Sequence, residues 1–228
     1  PIFATTNIAT DHNQLVMETM QKVALRHGLV CLLHEKPYAG INGSGKHNNW
    51  SLSTSDGINL LDPGATASEN VQFLLFLSAM IKAVDTHADI LRATCATAGN
   101  DHRLGANEAP PAIVSIFMGE ELTEILEKIA KGEKLSTRDP QVLRVGVDTL
   151  PAIPRDNTDR NRTSPFAFTG NKFEFRMVGS AQSIAGVNVA LNTIAAETLD
   201  EIATRLERAK DKNAEVAAII RDIYKKHN

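Results

Sequence analysis

The sequence has few cysteines and no excess of basic residues, and each shortage excludes a class of protein. Only Cys31 and Cys95 occur in 228 residues, too far apart in sequence for a metal-spaced pair or a disulfide framework. This usage fits a reducing cytoplasm, which is the location we expect. With 24 Lys and Arg against 27 Asp and Glu, the formal net charge is −3, so we expect no nucleic acid partner.

Long hydrophobic runs are also missing. The longest, at 73–81, is broken by Ser78 and is too short to span a bilayer, so we expect no membrane segment. The chain begins at Pro1 without a leader pattern of charged and then apolar residues, and we interpret this start as a cut in a longer protein. The length allows a sizeable core in one or two domains.

The most informative stretch is 36–51, a glycine-rich loop followed by polar residues. Gly40, Gly43 and Gly45 permit positive φ and let backbone N–H groups approach a ligand, which suits an anion or a carboxylate. The same residues match the G-x-x-x-x-G-K part of a P-loop. His47 replaces the magnesium-binding hydroxyl of that motif, and the residues after it do not favour a helix, so we reject the P-loop interpretation.

The elements predicted around this loop include both helices and strands. Asp11 and Gly28 are suited to begin and to end a helix, and the apolar residues 29–34 predict a short strand. Further patterns predict helices at 71–84, 85–98, 120–131, 195–209 and 214–226, and a strand at 112–118. This succession indicates a mixed fold of α and β elements.

A loop and a strand later in the chain carry charges that suit ligand binding. The glycines, asparagines and prolines of 98–111 exclude regular structure, which leaves its charged residues in a shaped loop. In the predicted strand 172–178, alternation puts Lys172, Glu174 and Arg176 on one face. Each pattern alone is also typical of a solvated or salt-bridged surface, and the glycine-rich loop favours ligand binding.

These motifs carry a family resemblance. The ATP-binding signature of glutamine synthetases, K-P-x-x-G-x-N-G-S-G-x-H, is matched by Lys36-Pro37, Gly40, Asn42-Gly43-Ser44-Gly45 and His47. The continuation to Trp50 resembles the type III members in particular. The strand 172–178 is similar to the x-E-x-R strand of the family, and 161–164 resembles its phosphate-binding arginine segment. The resemblance implies the α+β fold class, with an antiparallel sheet flanked by helices.

Enzymes of this type are several times longer than this chain. The resemblance therefore implies that residues 1–228 are a partial catalytic domain, with the N-terminal β-grasp domain, the upstream metal-ligand strands and the C-terminal remainder outside them. Such a fragment alone should be inactive. For the full-length protein, the resemblance implies a homo-oligomer, a dodecamer of two hexameric rings.

The resemblance also implies roles for individual residues. His47 and Glu174 are expected to hold one Mg²⁺ or Mn²⁺ ion. The expected glutamate-binding residues are Asn42, Gly43, Arg103 and Arg176. The expected ATP-binding residues are Asn49, Ser51, Arg162 and Lys172. The expected catalytic residues are Glu108, a flap carboxylate that shields the intermediate and attracts or deprotonates ammonium, and Arg162, which holds the transferring phosphoryl group.

One position departs from the family pattern. The common bacterial sequence has a second phosphate-binding arginine five residues after the position of Arg162, and this chain has Ala167 there. Either Arg160 substitutes for that arginine or the phosphate is held differently.

The implied reaction is ATP-dependent ligation of ammonia to the γ-carboxylate of L-glutamate. It proceeds through γ-glutamyl phosphate and gives L-glutamine, ADP and phosphate. A metal ion surrounded by several cationic side chains suits phosphoryl transfer of this kind. Two alternatives stay open. One is a ligase of the same superfamily that joins glutamate to another amine, such as a polyamine, and the other is a non-catalytic structural relative.

Overall fold

The computed structural model describes residues 3–41, 45–105, 110–133, 142–143, 153–154 and 164–227. The helices are α1 (Thr6–Arg26), α2 (Val71–Thr86), α3 (Ala88–Ala93), α4 (Ala98–Asp101), α5 (Glu120–Lys131), α6 (Ala185–Arg208) and α7 (Lys212–His227). The strands are β1 (Lys46–Trp50), β2 (Ile116–Phe117), β3 (Val142–Leu143), β4 (Ile153–Pro154), β5 (Phe166–Phe168) and β6 (Phe173–Val178).

Four of the strands form one sheet in the order β1-β6-β5-β2. The β1–β6 and β6–β5 pairs are antiparallel, while β2 and β5 are parallel. Strands β3 and β4 form a separate antiparallel pair. The prediction of an α+β fold with a largely antiparallel sheet flanked by helices is therefore confirmed, with the β2–β5 pair as its parallel exception.

The core lies between the sheet and the helices. Alternation along β6 buries Phe173 and Phe175 completely on one face. Phe166 of β5 stacks on Phe173 with ring centroids 4.5 Å apart, and Phe168 contacts Phe73 of α2 at 5.6 Å. These aromatic contacts hold the sheet against α2 and leave the opposite face of β6 available for polar residues.

Helix α2 is buried, as its uniformly apolar sequence predicts. The side chain of Asn70 caps it by accepting a hydrogen bond from the backbone N–H of Phe73 at 3.0 Å. Nine of its residues are buried, and it packs against both α6 and α7. Helix α5 also ends as predicted, because Gly132 takes a left-handed conformation with φ of 72°.

The polar strand β1 is half-buried because α6 supplies partners for its inward side chains. The Asn48 side-chain amide donates to Oδ1 of Asn188 at 2.9 Å, and the indole N–H of Trp50 donates to Oδ1 of Asn192 at 2.9 Å. A strand with this sequence can face the core only with such partners, since an unpaired buried amide is costly.

Several predicted boundaries are wrong. Residues 29–34 form no strand, because no strand of the described residues pairs with them and the ladder hydrogen bonds have no acceptors. The segment 98–111 is not wholly irregular, since Thr97 caps the short helix α4. The helix predicted at 85–98 is reduced to α3, and the strand at 112–118 to β2. None of the described helices is long and apolar enough to cross a membrane.

Candidate functional site

The candidate site lies along the pairing of β1 with β6. Lys46 lies opposite Val178 at one end of this antiparallel pair, and Trp50 lies opposite Phe173 at the other. The glycine-rich loop enters at the first end, because Gly45 immediately precedes β1. Of the expected ligand-binding residues that the structure describes, Arg103 contacts β6 at the first end, and Ser51 and Lys172 lie just beyond the second.

His47 and Glu174 approach each other between these ends. The register of the pair shifts between Lys46 and Asn48, so His47 lies at a bulge, an irregularity that re-aims a side chain. Its Nδ1 atom is 3.9 Å from Oε2 of Glu174. The fold thus brings together the two expected metal ligands from distant parts of the sequence, although metal binding itself stays a prediction.

The chemistry of this pair fits two ligands of one divalent ion. A nitrogen and an oxygen 3.9 Å apart can both reach an ion that each binds at about 2.1 Å. The His47 side chain is 33% exposed and that of Glu174 is 21% exposed, so both remain open to solvent. Among the residues that the structure describes, no group of three or more His, Cys, Asp or Glu side chains could hold a metal. A bound ion would therefore need further ligands.

Arg176 orients the carboxylate of Glu174. Its Nε and Nη2 atoms each donate to Oε2 of Glu174 at 2.9 Å, and its Nη1 donates to the carbonyl of Ser164 at 3.4 Å. Arg176 is only 2% exposed, so its guanidinium is shielded from water, while the Glu174 carboxylate stays 21% exposed. The face of β6 that carries Glu174 and Arg176 can therefore be salt-bridged and still bind a ligand. The expected role of Arg176 in glutamate binding stays a prediction.

Arg103 is buried beneath the loop end of the β1–β6 pair, where Lys46 lies opposite Val178. Its guanidinium donates to the carbonyl oxygens of Arg176 and Val178 and to Oδ1 of Asn100. Burial lowers the pKa of Arg103, and the negative charge of Glu35 opposes this shift. These contacts fix the end of β6, and the expected role of Arg103 in glutamate binding stays a prediction.

The expected ATP-binding residues that the structure describes lie toward the far end of the pair. Asn49 is exposed and lies directly opposite Glu174. Ser51 donates to Oδ1 of Asn59 at 2.7 Å and to the carbonyl of Asn171 at 3.2 Å, beside Lys172. Ser51 and Lys172 are thus close in space, more than a hundred residues apart in sequence.

Asn42, Gly43, Glu108, Arg162 and Arg160 lie outside the described residues, so their roles stay predictions. The structure describes several of their neighbours. The backbone N–H of Gly105 donates to the carbonyl of Pro110 at 2.9 Å, and these two residues are the described neighbours of the segment with Glu108.

Ala167, where the family arginine is missing, lies in β5 directly opposite Glu174 and is fully buried. Its methyl group provides no positive charge on this row of the sheet. Any cation that replaces the missing arginine must therefore come from another segment.

Two buried polar residues near the site were not predicted. Asn100 donates from its side-chain amide to the carbonyls of Cys95 and Met177, both at 2.7 Å. The carboxylate of Glu35, which is 4% exposed, accepts a hydrogen bond from the backbone N–H of Ser180 at 2.6 Å. Only its position next to Lys36-Pro37 could have indicated Glu35, because burial of a single charged residue leaves no periodic pattern.

Comparison with known families gives a match to the part of the chain that precedes β2. A family model described as "Glutamine synthetase, catalytic domain" matches residues 3–115. This segment includes the glycine-rich loop, His47 and Arg103.

Relatives with curated names extend the similarity over the whole chain. "Type-3 glutamine synthetase" of Dictyostelium discoideum is 54% identical over 230 residues, which cover 100% of this chain and 31% of the relative. "Glutamine synthetase" of Bacteroides fragilis is 48% identical over 93% of this chain and 30% of its own length. "Glutamine synthetase" of Butyrivibrio fibrisolvens is 60% identical over 76% of this chain and 25% of its own length. The chain therefore spans less than a third of these relatives.

A solved structure described as "Apo GmaS without ligand" shares the fold. It superposes with a TM-score of 0.56 at 14% sequence identity, covering 96% of this chain and 50% of that one. At this identity the likeness concerns the fold alone.

Proposed function

Because the chain belongs to the glutamine synthetase family, we propose that its full-length protein is a glutamate–ammonia ligase that consumes ATP. One observation supports this most strongly. The imidazole of His47 and the carboxylate of Glu174 meet on one side of the sheet, where the glycine-rich loop joins β1. A metal-binding pair with an adjacent arginine is what phosphoryl transfer to a carboxylate requires.

In the first proposed step, the γ-carboxylate of glutamate attacks the terminal phosphorus of ATP. The bond from that phosphorus to the ADP oxygen breaks, and γ-glutamyl phosphate and ADP form. Asn49, Ser51 and Lys172 hold the nucleotide, and Arg162 holds the transferring phosphoryl group. A Mg²⁺ or Mn²⁺ ion bound by His47 and Glu174 would supply neutralisation of the phosphoryl charge.

Glutamate is held at the loop end of the β1–β6 pair in this proposal. Asn42 and Gly43 contribute from the loop, and Arg103 and Arg176 contribute positive charge near the substrate carboxylate. The fixed position of Arg176 against Glu174 supports this assignment, because an arginine that is already ordered loses little entropy on binding.

In the second proposed step, ammonia attacks the acyl carbon of γ-glutamyl phosphate. The bond to the phosphate oxygen breaks, and inorganic phosphate and glutamine leave. Glu108 takes the proton that ammonium loses and keeps water from the acyl phosphate. We also propose that the full-length protein works in the cytoplasm as a homo-oligomer, a dodecamer of two hexameric rings.

The test is phosphate release by the full-length protein with ATP, L-glutamate and ammonium as separate variables. We expect release only when all three and Mg²⁺ or Mn²⁺ are present, with glutamine formed in equal amount. Glu174→Gln should abolish release, while Glu197→Gln, a change on the exposed face of α6, should preserve it.

Release with a polyamine but not with ammonium would replace the proposal by the amine-ligase alternative. No release with any amine, together with no metal binding, would favour the non-catalytic alternative.

A further inference from the structure

Glu35 is a buried carboxylate at the start of the glycine-rich loop, and the mechanism above does not use it. It precedes Lys36-Pro37 and is 4% exposed. Its Oε1 atom accepts the backbone N–H of Ser180, two residues after the end of β6. One side chain therefore joins the loop to the strand that carries Glu174 and Arg176.

Two cations lie within electrostatic reach of Glu35. Burial lowers the pKa of Lys46 and that of Arg103, and in both cases the charge of Glu35 opposes the shift. Lys46 is the first residue of β1, and Arg103 holds the carbonyls at the end of β6. Glu35 is thus the shared counter-charge of two groups that flank the loop end of the site.

Three glycines leave space for this cluster of buried charges. A Cβ atom on Gly45 would collide with the Arg103 guanidinium and lie 2.7 Å from the carbonyl oxygen of Val178. A Cβ on Gly179 would lie 2.5 Å from Oε1 of Glu35, and one on Gly99 would lie 3.1 Å from its Oε2. None of the three has a left-handed φ, so the limited space favours glycine, most of all at Gly45, where the Val178 carbonyl belongs to the backbone.

We propose that Glu35 is a positioning residue, which holds the start of the glycine-rich loop, Lys46 and Arg103 against the end of β6 and so sets the glutamate side of the site. This inference rests on the proposed function for its kinetic consequence alone. Its structural consequence, that the loop is held by the Glu35 carboxylate, is independent of the reaction.

The kinetic test compares Glu35→Gln with Glu35→Asp in the full-length protein. The amide keeps the size of the side chain but removes its charge, whereas aspartate keeps the charge. We expect Glu35→Gln to raise the KM for glutamate about tenfold and the KM for ATP less than about twofold, because Ser51 and Lys172 lie at the opposite end of the β1–β6 pair. Glu35→Asp should recover part of the loss.

A control must separate positioning from general destabilisation. Ile219→Ala removes a buried side chain of the α2–α6–α7 core, distant from the loop, and should lower the unfolding midpoint while leaving the KM for glutamate unchanged. Equal rises of both KM values in Glu35→Gln, or the same rise in Ile219→Ala, would overturn the positioning role.

Hydrogen exchange supplies a readout that needs no activity. In Glu35→Gln, amides of 36–41, 45–47 and 178–182 should exchange faster than in the parent protein, while those of α7 should not change. Gly179→Ala should reproduce this pattern because its Cβ displaces the carboxylate, and Gly186→Ala, which has open space around it, should not. Unchanged exchange in Glu35→Gln would overturn the proposal even in an active enzyme.

If the parent releases no glutamate-dependent phosphate, the proposed function fails, and the exchange comparison still decides the role of Glu35.

Discussion

At the scale of single residues, His47 allows metal binding to be separated from folding. Its side chain is one-third exposed and lies at a bulge, so its loss should cost little stability. We expect His47→Ala to weaken Mn²⁺ binding by at least about tenfold, since one of the protein ligands is removed. Titration calorimetry on the full-length protein measures this. His87→Ala, at a histidine that pairs with Glu197 of α6, is the control, and equal affinities in the two variants would remove His47 from the metal site.

Replacement of Arg176 tests whether its planar guanidinium, and not only its positive charge, is needed at the site. Two of its nitrogens donate to a single oxygen of Glu174, and a lysine provides one point charge in place of that planar fork. We expect Arg176→Lys to weaken glutamate binding about tenfold or more, with ATP binding changed less than about twofold. Equilibrium binding of both ligands decides the question.

Arg205→Lys is the control for this experiment. Arg205 pairs with Glu215 and Asp222 on the exposed surface between α6 and α7, so its replacement should change neither affinity. Equal losses of glutamate and ATP binding in Arg176→Lys would make the Arg176–Glu174 contact a structural ion pair only.

At the scale of elements, the sequence predicts best where one segment contains its own determinants. The alternation of β6, the apolar surface of α2 and the terminal Gly132 of α5 are local patterns, and each element was predicted correctly. Residues 29–34 were predicted wrongly because a strand depends on a partner that its own sequence does not contain.

The difference between local patterns and contacts with distant segments also explains what could be predicted of the site. The motif spacing indicated His47 and Glu174, and the fold brings them within 3.9 Å. The burial of Glu35 and the contacts of Arg103 with the carbonyls of β6 depend on three segments meeting, and no local pattern encodes such a meeting. The burial of the polar Asn48 side chain likewise depends on Asn188 of α6, which lies far from β1 in sequence.

The expected flap role of Glu108 gives a prediction at this scale. The structure describes the residues on either side of it, where the backbone N–H of Gly105 donates to the carbonyl of Pro110. If Glu108 guards the acyl phosphate, Glu108→Ala should lower kcat much more than it raises either KM, and phosphate release should exceed glutamine formation. Both products are measured in one assay of the full-length protein. An unchanged product ratio with a normal kcat would make Glu108 a surface residue.

At the scale of the whole molecule, the outer surface of α1 stands apart from the rest of the fold. None of the residues of α1 is buried. Four of its apolar side chains are each more than 40% exposed, namely Leu15, Val16, Met20 and Val23. Soluble proteins rarely leave such a contiguous apolar surface open to water. This chain spans less than a third of its curated relatives, and we propose that other parts of the full-length polypeptide cover α1.

A charge placed on this apolar surface tests that proposal. In the full-length protein, Leu15→Glu should lower the free energy of unfolding by about 2 kcal/mol or more, because it would bury a carboxylate without a partner. Gln21→Glu also adds a negative charge to α1, on an exposed position turned away from Leu15, Val16 and Val23, and should cost less than about 1 kcal/mol, as surface substitutions do. Denaturant unfolding of both variants gives the comparison. If Leu15→Glu is as well tolerated as Gln21→Glu, then α1 is exposed in the complete protein as it is in these 228 residues.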